Sequence, residues 1–315
     1  MTVKLDPDAE AVYRAFQLAA RPPLDTLTPE HARQLYRQSA AEACPDSLEM
    51  ASVNDCMIPG PAGDLETRIY TPKKLRQQDG LAPGLVFFHG GGWVAGDLDS
   101  HDAVCRCIAD SGELIVVAVH YRLAPEHKFP AAVEDAIAAA KWVSFNAHVL
   151  KIDPAKLFVG GDSAGGNLAA VVSIEARDRA DPMFAGQVLI CPATDFALTQ
   201  PSHSEAETSV LTTHSLIRWF RDHYLSADHD AHDWRASPAQ VDDLAGLPPT
   251  YIVTAGADPL RDEGQDYAKR LEQAGVAVVH RSFPGQFHGF VTMGKLLPQA
   301  NVAIAEIGDW LKRMS

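Results

Sequence analysis

One stretch constrains the fold of this chain more than any other: Gly160-Gly161-Asp162-Ser163-Ala164-Gly165-Gly166. Before it runs Lys156-Leu157-Phe158-Val159, a short apolar run of the kind that forms a buried strand. After it runs Asn167-Leu168-Ala169-Ala170-Val171-Val172, which continues in a helical pattern to about Arg179. A strand that feeds a helix through G-x-S-x-G is a nucleophile elbow. The turn is so tight that the serine takes up strained backbone geometry, and side chains at Gly161 or Gly165 would strike neighbouring segments. Ser163 is thereby held at the carboxyl edge of a sheet, over a helix N-terminus whose dipole favours anions. Five-residue patterns recur by chance, so the rest of the chain has to supply a base, an acid and an oxyanion site in a workable order.

A serine hydroxyl is a poor nucleophile until a base takes its proton. After an elbow of this kind the partners follow in the order acid, then histidine. The run Tyr251-Ile252-Val253-Thr254 reads as a strand and ends in Ala255-Gly256-Ala257-Asp258, which puts Asp258 on a carboxyl-edge loop. The next strand, through Ser282, ends in Phe283-Pro284-Gly285-Gln286-Phe287-His288-Gly289-Phe290, which puts His288 on another. Three residues from three strand ends can converge, with the aspartate orienting the imidazole. Asp262 and Asp266 fall in the following helix instead, where they read as helix-end charge and a solvated face. His280 falls inside the last strand, and the other histidines precede the acid.

The strand Leu85–Phe88 runs directly into His89-Gly90-Gly91-Gly92-Trp93. Successive glycines leave backbone N–H groups unshielded and able to approach a ligand. The amides of Gly91, Gly92 and Ala164 are the expected oxyanion donors.

Bulk composition bounds the rest. A chain of 315 residues that is 46% hydrophobic suits one large α/β domain with an elaboration, or two small domains. A formal net charge of −14 argues against nucleic acid or an anionic membrane as partner and leaves a small neutral substrate open. The N-terminal MTVKLDPDAE lacks an apolar core of the signal-peptide kind, and no apolar run approaches the ~20 residues that span a bilayer, so a cytoplasmic protein is expected. The cysteines, Cys44, Cys56, Cys105, Cys107 and Cys191, are odd in number and scattered, as buried thiols would be. Cys105 and Cys107 would face different ways on a helix, so no metal is assigned to them.

Read in order, residues 1–45 predict two helices, capped at Asp6 and Thr28 and broken at Arg21-Pro22-Pro23. Residues 52–71 read as a hairpin turning at Pro59–Asp64, followed by a polar linker from Lys73 to Asp79. From Leu85, strands Leu85–Phe88, Leu114–Val119, Leu157–Val159, Gln187–Ile190, Thr250–Thr254 and Val276–Ser282 alternate with helices Pro130–Phe145, Ala164–Arg179, Arg261–Ala274 and Leu296–Arg313. Such alternation means a mostly parallel sheet covered on both faces. Residues 196–235 interrupt it with the amphipathic piece Leu216-Ile217-Arg218-Trp219-Phe220 and the polar loop 228–233. That loop lacks zinc-type ligand spacing and reads as solvated.

HGGGW at 89–93, YRLAPEHKFPAAVED at 121–135, GDSAGG at 161–166, ADPLRDE at 257–263 and FHGF at 287–290 together resemble the hormone-sensitive-lipase-like family of bacterial esterases. The resemblance implies the α/β-hydrolase fold, an eight-stranded, mostly parallel sheet with a helical cap. It implies Ser163, Asp258 and His288 as triad, no cofactor and no metal, and a cap built from residues 1–45 and 196–235 over a catalytic domain split into 46–195 and 236–315. Tyr121, Arg122, Glu126 and Asp135 then read as polar packing beside the site rather than as reacting groups.

The expected activity is hydrolysis of short- to medium-chain carboxylic esters. Trp93, Leu211, Trp219 and Phe220 are the expected pocket residues, with Tyr224 nearby in the cap. Amide or carbamate cleavage by the same triad stays open, as does a non-catalytic small-molecule receptor on the same fold. Val276, Val278 and Val279 give the last strand an apolar edge on which two copies could pair as a homodimer.

Overall fold

Eight strands form one sheet in the order β1-β2-β4-β3-β5-β6-β7-β8. They are β1 (Ser52–Gly60), β2 (Gly63–Thr71), β3 (Ala82–Phe88), β4 (Ile115–His120), β5 (Ile152–Asp162), β6 (Gly186–Ile190), β7 (Thr250–Ala257) and β8 (Val278–Phe287). The computed structural model describes residues 4–75, 80–181, 184–205 and 211–315. β1 pairs antiparallel with β2, and β2 with β4; every other pairing is parallel. This is the expected α/β-hydrolase sheet.

The inner parallel strands β3, β4, β6 and β7 are buried on both faces, so they read as continuous apolar runs rather than alternating ones. Helices α3 (Asp102–Gly112) and α9 (Pro298–Met314) cover one face, with Ile108, Ile304 and Trp310 packed against Leu85 and Phe158. Helices α4 (Ala131–Phe145), α5 (Ala164–Asp178) and α8 (Arg261–Gln273) cover the other, with Val133, Leu168 and Leu271 in one cluster with Val86 and Val159. Helix α3 was not foreseen. Its sequence, DAVCRCIADSG, is short and mixes polar residues into the apolar stripe. It nevertheless supplies the crossover that parallel β3 and β4 need. On it Cys105 is buried and Cys107 half-buried, and all five cysteines are free thiols.

The N-terminal helices are α1 (Pro7–Leu18) and α2 (Pro29–Ala43). Thr28 Oγ1 caps α2 by accepting from the His31 amide. Asp6 does not cap α1 with its side chain. Its carboxylate accepts from Gln286 Nε2 at 3.0 Å and its amide donates to Gly285 O, so it pins α1 to the end of β8, just before His288. Of the linker expected at Lys73–Asp79, Lys73–Leu75 form a 3-10 turn and 76–79 lie outside the described residues. The interruption at 196–235 contains α6 (Pro201–Glu205) and α7 (His214–Tyr224), with 206–210 outside the described residues.

β8 is a sheet edge, as a dimerising strand would have to be. Its apolar edge is smaller than expected. Val276 precedes the strand and is buried, Val278 packs on the core, and only Val279 of the three is exposed.

Candidate active site

The site stands at the carboxyl ends of four parallel strands. β5 delivers Ser163, β7 delivers Asp258, β8 delivers His288 and β3 delivers the loop His89–Trp93. The turn at Ser163 is forced by its neighbours. A Cβ at Gly165 would fall on the Phe88 carbonyl oxygen, so only glycine lets α5 start that close to β3. Ser163 itself has φ 55° and ψ −115°, a strained conformation for a residue with a side chain. The strain aims its Oγ off the sheet edge.

The structure brings the three residues singled out in the sequence into one hydrogen-bonded chain. Ser163 Oγ lies 2.9 Å from His288 Nε2, and His288 Nδ1 donates to Asp258 Oδ2 at 2.8 Å. The other Asp258 oxygen accepts from the Leu260 amide at 2.8 Å, so the carboxylate cannot rotate freely. Burial disfavours the imidazolium, but the Asp258 charge and hydrogen bond outweigh it and hold His288 above the ordinary histidine range.

The glycine loop faces the same space. Gly91 and Gly92 have φ of 118° and 61°, in the region that favours glycine. No backbone carbonyl among the described residues accepts from either amide. The Ala164 amide, at the first position of α5, has no partner within the helix. Beneath the loop, Tyr121 Oη donates to His89 O at 2.7 Å, and the Gly90 amide donates to Asp162 Oδ1 at 2.9 Å. Burial pushes the His89 imidazole down to about 3, which keeps it neutral at working pH.

A cavity of about 420 Å³ opens over Ser163. Phe16, Leu24 and Tyr36 line it from the N-terminal segment, and Leu211, Leu216 and Phe220 from the insertion. Of the four expected pocket residues, Leu211 and Phe220 line this cavity. Trp93 and Trp219 are not on the wall. Trp93 is buried behind it, stacked on Tyr224 at 4.4 Å between ring centroids, so neither ring reaches the cavity. Trp219 packs against the His223 ring, tilted by 40° with centroids 4.2 Å apart. On α7 the positions four apart, Leu216 and Phe220, share the inward face, and Trp219 lies about 100° round the helix from Phe220.

Polar residues of the 121–135 stretch brace the site from outside. Arg122 pairs with the fully buried Asp135, and Glu126 with Arg33 of α2. The loop at 228–233 is held internally, with the Asp230 carboxylate accepting from the Ser226 and Ala227 amides.

A second buried pair went unnoticed in the sequence because nothing local marks it. His203 of α6 donates to Glu263 Oε2 at 3.1 Å, and Glu263 Oε1 accepts from the Thr194 amide at 2.6 Å. Both side chains are excluded from water. The pair ties α6 to the start of α8, one turn from Asp258. Removing one partner of such a pair leaves an uncompensated buried group. His203→Ala is expected to cost about 3 kcal/mol, read as a lower urea midpoint at neutral pH. An unchanged midpoint would show that the pair contributes nothing.

The one cluster of metal-type ligands among the described residues is Cys191, Asp258 and His288, whose ligand atoms lie within 4.8 Å of one another. Both His288 nitrogens are already engaged, and burial raises the Cys191 thiol far above its usual value. A metal there would have to break the Ser163–His288–Asp258 chain.

Comparison with known proteins gives the class. A family model described as the α/β-hydrolase fold matches residues 85–292. The chain belongs to that α/β-hydrolase family, within its hormone-sensitive-lipase-like esterases. It is 44% identical over 275 residues to the carboxylic ester hydrolase LipN of Mycobacterium tuberculosis, covering 84% of this chain and 71% of that protein. It is 35% identical to an ethyl acetate hydrolase of Pseudomonas putida over 92% of each chain. The solved structure of an α/β-hydrolase enzyme from the metagenome of Lake Arreo superposes with a TM-score of 0.95, at 38% identity over 98% of both chains. No helix among the described residues is long and apolar enough to cross a membrane.

Proposed function

We propose that the chain is a carboxylic ester hydrolase that works through a Ser163–His288–Asp258 triad and an acyl-enzyme. The observation that carries this reading is the continuous hydrogen-bond chain from Ser163 Oγ through His288 to Asp258. His288 Nε2 takes the Ser163 proton as Oγ bonds to the ester carbonyl carbon. The carbonyl oxygen becomes an oxyanion and is held by the amides of Gly91, Gly92 and Ala164. Each such donor is worth about 2.7–4 kcal/mol in the transition state. Collapse breaks the carbon–oxygen bond to the alcohol, which leaves with the proton from His288 Nε2. Water then gives a proton to His288 as its oxygen bonds to the acyl carbon, and collapse breaks the bond from that carbon to Ser163 Oγ, which takes the proton back from His288 Nε2 as the carboxylic acid leaves.

Residues 1–45 and 196–235 act as a cap on the catalytic domain, a reading supported by described side chains of both segments, such as Tyr36 and Phe220, that wall the cavity above Ser163. A volume of about 420 Å³, shared between acyl and alcohol groups, suits short to medium acyl chains. Two relatives named for carboxylic ester and ethyl acetate hydrolysis support the ester class over amides.

The test is a p-nitrophenyl ester series from acetate to palmitate. kcat/KM should peak at four to eight carbons, as an expectation of order about ten to one over palmitate, since each buried methylene is worth about 0.8 kcal/mol only while the wall has room. Equal rates on palmitate and butyrate would rule out a closed pocket. Faster cleavage of the matching anilides would favour the amidase reading.

A further inference from the structure

We propose that His101 is a positioning residue for the oxyanion loop, acting through the carboxylate of Asp162. The proposal rests on the reading of Gly91 and Gly92 as oxyanion donors. Asp162 lies between Gly161 and the nucleophile, so its backbone belongs to the elbow. Its side chain reaches the other catalytic loop, where Oδ1 accepts from the Gly90 amide, one residue before the donors. A Cβ at Gly90 would strike this carboxylate, so the contact is close-packed. One buried side chain thus joins the nucleophile to the oxyanion loop.

A buried carboxylate with a single amide partner would be costly and free to turn. His101 prevents both. Its Nε2 lies 3.3 Å from Asp162 Oδ1 and 3.4 Å from Oδ2, and the Gly90 amide nitrogen lies 3.3 Å from the same Nε2, so His101 meets the carboxylate and the loop at one point. His101 is itself almost fully buried and fixed in place. Ser100 Oγ is 3.1 Å from its Nδ1, and the Tyr36 ring stacks on it with centroids 6.3 Å apart. Ser100 is bonded in turn to Asp97, which pairs with Arg37 of α2. The chain Arg37–Asp97–Ser100–His101–Asp162–Gly90 therefore runs from the N-terminal segment to the oxyanion loop. Among the described residues His101 has no hydrogen bond to Ser163, Asp258 or His288. Its effect must pass through the angle of the loop, which matters when the carbonyl oxygen moves on becoming an oxyanion.

The test compares wild type, His101→Ala and His101→Gln on p-nitrophenyl butyrate, and measures the affinity of an aryl trifluoromethyl ketone. Ser163 adds to that ketone to give a hemiketal oxyanion, so its affinity reports the oxyanion site. In His101→Ala, kcat and ketone affinity should fall together by about 10- to 100-fold with KM within twofold. His101→Gln keeps an N–H donor near the Nε2 position and should recover most of both losses. If His101→Ala fails to fold, His101→Asn, whose amide is too short to reach Asp162, replaces it. Ketone affinity within twofold of wild type in the folded variant would overturn the proposal. So would losses in the Ala and Gln variants that merely match their unfolded fraction. A wild type that forms no hemiketal would overturn the oxyanion reading itself, which is a distinguishable failure.

Discussion

Ser163→Ala is expected to lower kcat by about 10⁶-fold, with KM nearly unchanged and the fold intact. The large effect follows from the triad acting as a unit. Without Oγ, His288 has no proton to take and no acyl-enzyme can form, so only water attack on a bound ester remains. The oxyanion amides are untouched, and they should leave a residual acceleration of about 10³ over uncatalysed hydrolysis. Stability should not change. Alanine keeps the Cβ, so the strained φ of 55° at this position persists in the variant. Equal urea midpoints would separate lost chemistry from lost structure. Retention of even a hundredth of wild-type kcat would mean that another nucleophile does the work, and the triad assignment would fall.

The elbow, the glycine loop and the two carboxyl-edge loops were legible because each is a local pattern tied to a strand end. Tight turns need glycine, and glycine is visible in a sequence. Gly161, Gly165, Gly91 and Gly92 thus mark in the sequence the turns that bound the proposed site. What stayed hidden was set by packing. Helix α3 was lost because its amphipathic stripe is short and interrupted. The position of Trp93 beside the glycine loop is apparent in the sequence and points to the pocket wall. Its stacking behind that wall on Tyr224, from α7, is not. Asp162 sits inside the most informative motif of the chain, yet its role depends on His101, which no spacing rule links to it. The same holds for His203 and Glu263. Buried polar pairs join residues 60 or so positions apart, and neither partner announces the other.

Asp258→Asn is expected to lower kcat by about 10⁴-fold and to move the acidic limb of kcat/KM to lower pH. Asn cannot carry the charge that stabilises the imidazolium as it forms. Its amide nitrogen can also face Nδ1, which would favour the tautomer with the proton on Nε2, where a base needs none. The pH shift has a definite sign. In wild type, burial lowers the His288 pKa, and the Asp258 charge and hydrogen bond more than reverse it. Removing the charge leaves burial unopposed by it, so the variant's pKa falls below that of wild type. His288 must be neutral to take the Ser163 proton. Activity therefore drops as pH falls through that pKa, above about 6.5 in wild type and lower in the variant. Linkage adds a second observable. A histidine whose folded pKa is raised stabilises the fold below about pH 6.5, and that contribution is lost as pH rises through the folded value. The wild-type advantage over Asp258→Asn in urea midpoint should therefore be larger at pH 6 than at pH 9. A pH–rate profile of the variant with an unshifted acidic limb would show that Asp258 does not set the state of His288, whatever the fall in rate.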